Sequence, residues 1–189
     1  IHIQVITYPI LAAILSYSLC DVEYKNYGFR LLFTRPISKL TIYSSKMVFL
    51  LEINFISFLI GYLAFLLSGF ALDKLLPGYE FSSYNVNNLT AFYFSYLFIA
   101  LSAVSIMQYY LSLIFKSFVL PIGFAGFMTI FGVIAQNKDY IYLIPYGTVW
   151  RLNYGFYSGI IDFSKGEYLN ISCVLFFIII SFFVFIRKK

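Results

Sequence analysis

Glu52 lies inside the run MVFLLEINFISFLIGYLAFLLSGFAL, residues 47–72, and Asn54 follows two places on. A carboxylate six residues past Lys46 sits about 9 Å up a helix. At that depth a charge is costly, and it usually faces a bundle interior or water. Two uses compete for it. One is a substrate path or subunit interface; the other is a carboxylate near the membrane surface, paired with a basic neighbour. Gln108, beside Tyr109 and Tyr110, adds polar atoms to another apolar run. It serves either helix packing or the same path or interface, and Trp150, the only tryptophan, is a further candidate for that path.

None of these residues stands in a catalytic pattern. The chain has no GxxxxGK[ST] loop to cradle ATP phosphates, no HExxH and no GxSxG. His2 is the only histidine, which rules out schemes needing two. Cys20 and Cys173 are far apart, with no metal-ligand spacing, and read as buried thiols. The expectation is a chain that is not an enzyme and holds no cofactor or metal of its own.

Composition names the solvent. Of 189 residues, 61% are hydrophobic and 11% charged, against roughly 25% charged in a soluble domain. So few charges cannot cover a water-facing surface, and a lipid bilayer takes that place. The net charge of +5 is split into short clusters between apolar runs. That patterning suits a membrane protein and excludes a nucleic-acid-binding face.

Five apolar runs follow: roughly Ile3 to Cys20 (interrupted by Pro9), Met47 to Leu72, Thr90 to Phe115, Phe118 to Ala135, and Tyr168 to Ile186. About 20 residues of helix cross the hydrocarbon core, and continuous runs do not fit the alternating strands of a membrane barrel. The expected fold is an all-α polytopic membrane helix bundle with five spans, forming a single transmembrane domain over residues 1–189. In the fourth run, Pro121, Gly123, Gly126 and Gly132 predict a kink or close helix contact.

Nine Lys and Arg residues lie after runs one and three and at the C-terminal end; the other connections hold four. This bias predicts a multi-pass protein of the inner (cytoplasmic) membrane with its C-terminus in the cytoplasm. Ile1 then starts outside. One further helix upstream resolves that start, giving six spans in all. The extracytoplasmic loops are expected at about 73–89 and 137–167. Within the second, Pro145, Gly147, Gly155 and Gly159 interrupt a stretch rich in Tyr. It is predicted to lie at headgroup level, either lining an exit path or acting as a structural lid.

The densest punctuation is DVEYKNYGFRLLFTRPISKLTIYSSK, residues 21–46, with five of the thirteen Lys and Arg. An amphipathic helix can be drawn from Tyr24 to Phe33, ended by Pro36, whose ring removes a donor and restricts Arg35. It would lie along the inner face of the membrane, its basic side chains directed at phosphates or an acidic partner.

Residues 23–46 resemble the cytoplasmic motif of ABC-2 type transporter permeases. That motif has an acid, a Gly, a leucine pair, P[IV]S[RK], and a Lys opening the next helix. Glu23, Gly28, Leu31, Leu32, Pro36, Ile37, Ser38, Lys39 and Lys46 occupy those positions. Tyr27 before the Gly, Phe29 where Thr is common, and Lys39 in place of Arg depart from it.

The resemblance implies six helices per permease, with run one as the second helix and the insert as a short amphipathic coupling helix. It also implies two permease subunits, identical or different, and two separate ABC ATPase subunits that carry ATP and Mg. For docking on the ATPase, Phe29, Leu32 and Phe33 are expected to supply the apolar contact. Arg30, Arg35 and Lys39 are the expected anchors, and Ile42 to Lys46 the rigid attachment. The implied function is ATP-driven transport, with export of a small molecule, peptide or lipid-like substrate as the leading direction. The alternative is a membrane channel or assembly scaffold without an ATPase.

Overall fold

A computed structural model describes residues 2–25, 36–76, 87–135, 138–158 and 164–187. The chain is all-α, with no strand among the described residues. Among the described residues six α-helices follow in order: α1 (His2–Tyr24), α2 (Lys39–Leu75), α3 (Asn87–Ile114), α4 (Val119–Ala135), α5 (Pro145–Ser158) and α6 (Ser164–Ile186). A 3-10 helix, Asp139–Leu143, joins α4 to α5.

Four of these, α1, α2, α3 and α6, are long and apolar enough to cross a membrane. The fourth apolar run folds as the 17-residue α4, about 25 Å long and shorter than the other four. Pro121 falls in its first turn, where a missing N–H costs no helical bond and makes no kink.

Two boundaries differ from the sequence reading. Tyr24 is the last residue of α1 and starts no separate helix; residues 26–35 of the expected amphipathic helix lie outside the described residues. The second span begins at Lys39, eight residues before the apolar run at Met47. Ser38 explains this early start: its side chain accepts a hydrogen bond from the Thr41 N–H at 3.0 Å, an N-cap. From there Ile42, Tyr43, Met47 and Leu50 form the buried side of the helix.

α3 is the axis of the bundle and packs against all five other helices. Two-thirds of its apolar window is buried, against 6% for α2. Small residues allow this approach: Ala100, Ser102, Ala103 and Ser105 are all buried, and small side chains let helix backbones come close.

The segment expected at headgroup level contains a short helix packed against the bundle. Tyr146, Val149, Trp150 and Leu152 of α5 are buried, packed on α3 and α4. Pro145 opens α5 at a position where its missing N–H is harmless. Gly147 lets the turn close, since a Cβ there would lie 2.7 Å from the Ile141 carbonyl oxygen. Gly147, one of the glycines that break the apolar pattern here, is therefore part of what lets this short helix pack against the bundle.

Candidate functional site: the roots of the insert

The two ends of the 21–46 stretch meet. Glu23 at the end of α1 and Lys46 on α2 form an ion pair, Nζ to Oε1 2.6 Å, with side chains 8% and 13% exposed. Lys46 Nζ also donates to the Leu19 carbonyl at 2.8 Å. One cation thus ties the last turn of α1 to the second turn of α2. Taking two charges out of water is expensive, and removing one partner from such a pair is strongly destabilising. The nearby pair Lys25–Asp21, 2.5 Å apart, is one turn of surface helix with Lys25 71% exposed, and contributes little.

Tyrosines extend the clasp. The Tyr24 hydroxyl lies 2.9 and 2.8 Å from the carbonyls of Ser112 and Leu113 at the end of α3. The Tyr43 hydroxyl donates to the Ile178 carbonyl of α6 at 2.7 Å and pairs with Ser181 Oγ at 2.6 Å. Lys39 Nζ donates to the Ile186 carbonyl at 2.9 Å. A cation is favourable at a helix C-terminus, where carbonyls lack intrahelical partners. Around these bonds Cys20, Ile42, Tyr43, Met47, Leu50, Ile106, Tyr109, Leu113 and Phe185 form one buried cluster. The insert is therefore mounted on a core shared by α1, α2, α3 and α6.

The expected docking residues divide accordingly. Glu23 is buried and Lys46 half-buried in the clasp, Ser38 caps α2, Lys39 reaches α6, and Pro36 is exposed. Gly28, Phe29, Arg30, Leu32, Phe33 and Arg35 lie outside the described residues.

Farther along the bundle a second polar group joins three helices. Asn54 Nδ2 donates to Ser105 Oγ at 2.9 Å, and Ser16 Oγ donates to the Ser105 carbonyl at 3.1 Å. Gln108, fully buried, donates from Nε2 to the Tyr146 hydroxyl of α5, while its Oε1 is left without a partner among the described residues. Trp150 fills the notch at Gly132, where a Cβ would come within 2.5 Å of the indole Cδ1. Gly123 and Gly126 face open space, so of the three glycines of α4 only Gly132 makes the close contact expected of them.

Asn54, Gln108 and Trp150 thus sit inside the bundle, but Glu52 does not. It is exposed on α2 and belongs to no ion pair among the described residues. Lys46, the nearest cation on the same helix, is held by Glu23. The sequence reading missed Tyr24, Tyr43, Ser105, Ser181 and Tyr146. Tyr43 alone carried a signal, standing four residues before Met47 on one helical face.

The two cysteines form no disulfide with each other; Cys20 is buried and Cys173 half-buried.

Spanning helices arranged around α3, with the insert rooted at one end, define a polytopic membrane protein. A family model described as ABC-2 family transporter protein matches residues 2–132, and the chain belongs to that family. Its members are non-catalytic transport subunits that work with an ATPase in a membrane complex. The match ends before the 3-10 helix, α5 and α6. No curated protein and no solved structure matches the chain.

Proposed function

We propose that the chain is the permease subunit of an ATP-driven ABC-2 type exporter. It moves a small molecule, peptide or lipid-like substrate by alternating access, in concert with a second permease subunit. ATP and Mg are bound by a separate ATPase. In this reading the insert end of the bundle is cytoplasmic, the C-terminus lies on the same side, and α4 serves as the fifth span. Residues 1–189 act as one transmembrane domain.

The observation that carries this reading is the clasp. A push on residues 26–35 reaches α1 through Glu23 and α2 through Lys46, because these two are bonded to each other. Tyr24, Tyr43 and Lys39 pass the same displacement to α3 and α6. Packed interfaces of this kind shift between discrete arrangements instead of deforming continuously, which is what a pathway open to one side at a time requires. Phe29, Leu32 and Phe33 form the apolar contact with the ATPase, and Arg30 and Arg35 set its register. Gly28 and Pro36 shape the turns of the docked segment. Asn54, Gln108 and Trp150 line the interface along which the helices move.

The test is capture of the partner. The tagged permease, purified from its native membrane in mild detergent, is expected to bring down a soluble-type subunit with a GxxxxGK[ST] loop. The ATPase activity of that subunit should exceed its activity alone. A permease that purifies without such a subunit, yet still conducts or assembles other proteins, supports the channel or scaffold reading instead.

A further inference from the structure

Three buried polar atoms are left over where α1, α2 and α3 meet. They are Oε2 of Glu23, the hydroxyl of Tyr109 and the hydroxyl of Ser112, and none has a hydrogen-bond partner among the described residues. Tyr109 and Ser112 are wholly buried, and Glu23 nearly so. Leaving such groups unpaired costs free energy, and folded proteins do it rarely.

Register brings the three to one layer of the bundle. Ser16 bonds the Ser105 carbonyl, and Tyr24 bonds those of Ser112 and Leu113, at separations of 89, 88 and 89 residues. α1 and α3 therefore run parallel at a constant offset, which sets Glu23 level with Ser112 and Cys20 level with Tyr109. Ala13, Ser16, Cys20 and Glu23, all buried, form the inner side of α1. The Tyr109 hydroxyl lies within the fields of Cys20, Glu23, Tyr43 and Tyr24, and so belongs to the same layer. Lys46 closes the layer from α2, with one N–H on Glu23 Oε1 and another on the Leu19 carbonyl.

We propose that this layer is a binding site for one small neutral molecule, a water, held between the three helices as a further partner of Glu23. Charge and hydrogen-bond sense select it. Glu23 and Lys46 neutralise each other, so an added anion would meet the carboxylate and an added cation the ammonium group. An ionised carboxylate only accepts, whereas a hydroxyl both donates and accepts. Water donates to Glu23 Oε2, accepts from the Tyr109 hydroxyl and gives its second hydrogen to Ser112 Oγ. Those are about three partners, the usual set for a buried water. Bound in this way, it joins α3 to the ion pair between α1 and α2. The site is complete within one chain and calls on no partner subunit.

Hydroxyl-radical labelling by X-ray radiolysis tests the site, because radicals formed from a bound water attack the side chain beside it even where bulk solvent does not reach. The permease is irradiated in the complex purified from its native membrane, and oxidation is read by mass spectrometry after digestion. Tyr109 is expected to be oxidised several-fold faster than Phe94, which is also buried but sits among aromatic rings. Tyr109 as slow as Phe94 overturns the proposal; that is also the result if a metal ion fills the layer or the three side chains close on one another. A variant gives the second measurement. Ser112→Val puts methyl groups in place of the hydroxyl and should bring Tyr109 down to the rate of Phe94, with exposed Tyr140 unchanged. Undiminished labelling of Tyr109 in the folded variant overturns the three-partner site. If Ser112→Val does not fold, the rates in the parent decide alone.

Discussion

Two side-chain pairs invite direct measurement because each is buried and each joins separate helices. In the Glu23–Lys46 pair, Oε2 of Glu23 has no partner among the described residues, so the carboxylate relies on Lys46 for most of its compensation. Glu23→Ala or Lys46→Ala alone should each lower stability by about 3 kcal/mol, since each strands a buried charge. The double variant Glu23→Leu, Lys46→Met should lie closer to the parent, because it buries no charge at all. Thermal unfolding in detergent, analysed as a double-mutant cycle, checks both. The Gln108–Tyr146 pair obeys the same asymmetry with neutral groups. Tyr146→Phe removes the acceptor and leaves a fully buried amide N–H unsatisfied, at a cost of about 1–3 kcal/mol. Adding Gln108→Leu to Tyr146→Phe should recover part of that loss in the same assay.

Helices set which of these pairs can exist. α2 owes its early start to Ser38, and that start puts Ile42, Tyr43 and Lys46 on the helix in the register that meets α6 and α1. Ser38 of the tetrapeptide Pro36 to Lys39 is thus a cap, and Lys39 after it braces the end of α6. Ser38→Ala should cost about 1 kcal/mol and fray the first turn, seen as faster amide exchange at residues 39–42 with the rest of α2 unchanged. At the other end, Gly132 leaves room for the Trp150 ring of α5. Gly132→Val is expected to displace α5 and raise the accessibility of Trp150, read as a red shift and stronger quenching of its fluorescence. Parent-like emission from this variant would show that the notch is not what holds the helix.

Among the described residues α3 touches every other helix, and α2 meets α6 near the insert. Beyond that end, Phe58, Tyr62 and Phe65 of α2 still pack on Phe94 of α3, and the Tyr8 hydroxyl of α1 donates to the Ser57 carbonyl of α2. On the proposed docking role, charge reversal at Arg35 should reduce stimulation of the partner ATPase several-fold while the permease still reaches the membrane. Charge reversal at Lys39 should do the same and in addition loosen α6, whose terminal carbonyl it holds. Equal stimulation by parent and Arg35 variant would remove the insert from the coupling path.

Much of this was readable in residue types. Apolar runs and scarce charges specify helices in lipid, because a backbone without water has to satisfy its hydrogen bonds within each helix. Run lengths therefore placed α1, α3 and α6 to within a few residues, and the order of Glu23, Gly28, the tetrapeptide Pro36 to Lys39, and Lys46 pointed to the family. Which side of a helix faces which neighbour was not readable. In a membrane the outward face is as apolar as the inward one, so α2 carries no amphipathic stripe to show that Tyr43 points at α6 and Glu52 away from the bundle. The Glu23–Lys46 bond, the burial of Trp150 and the solitary outward carboxylate all follow from how helices rotate and pack around α3. That is settled by contacts between residues distant in the chain, and no local pattern encodes it.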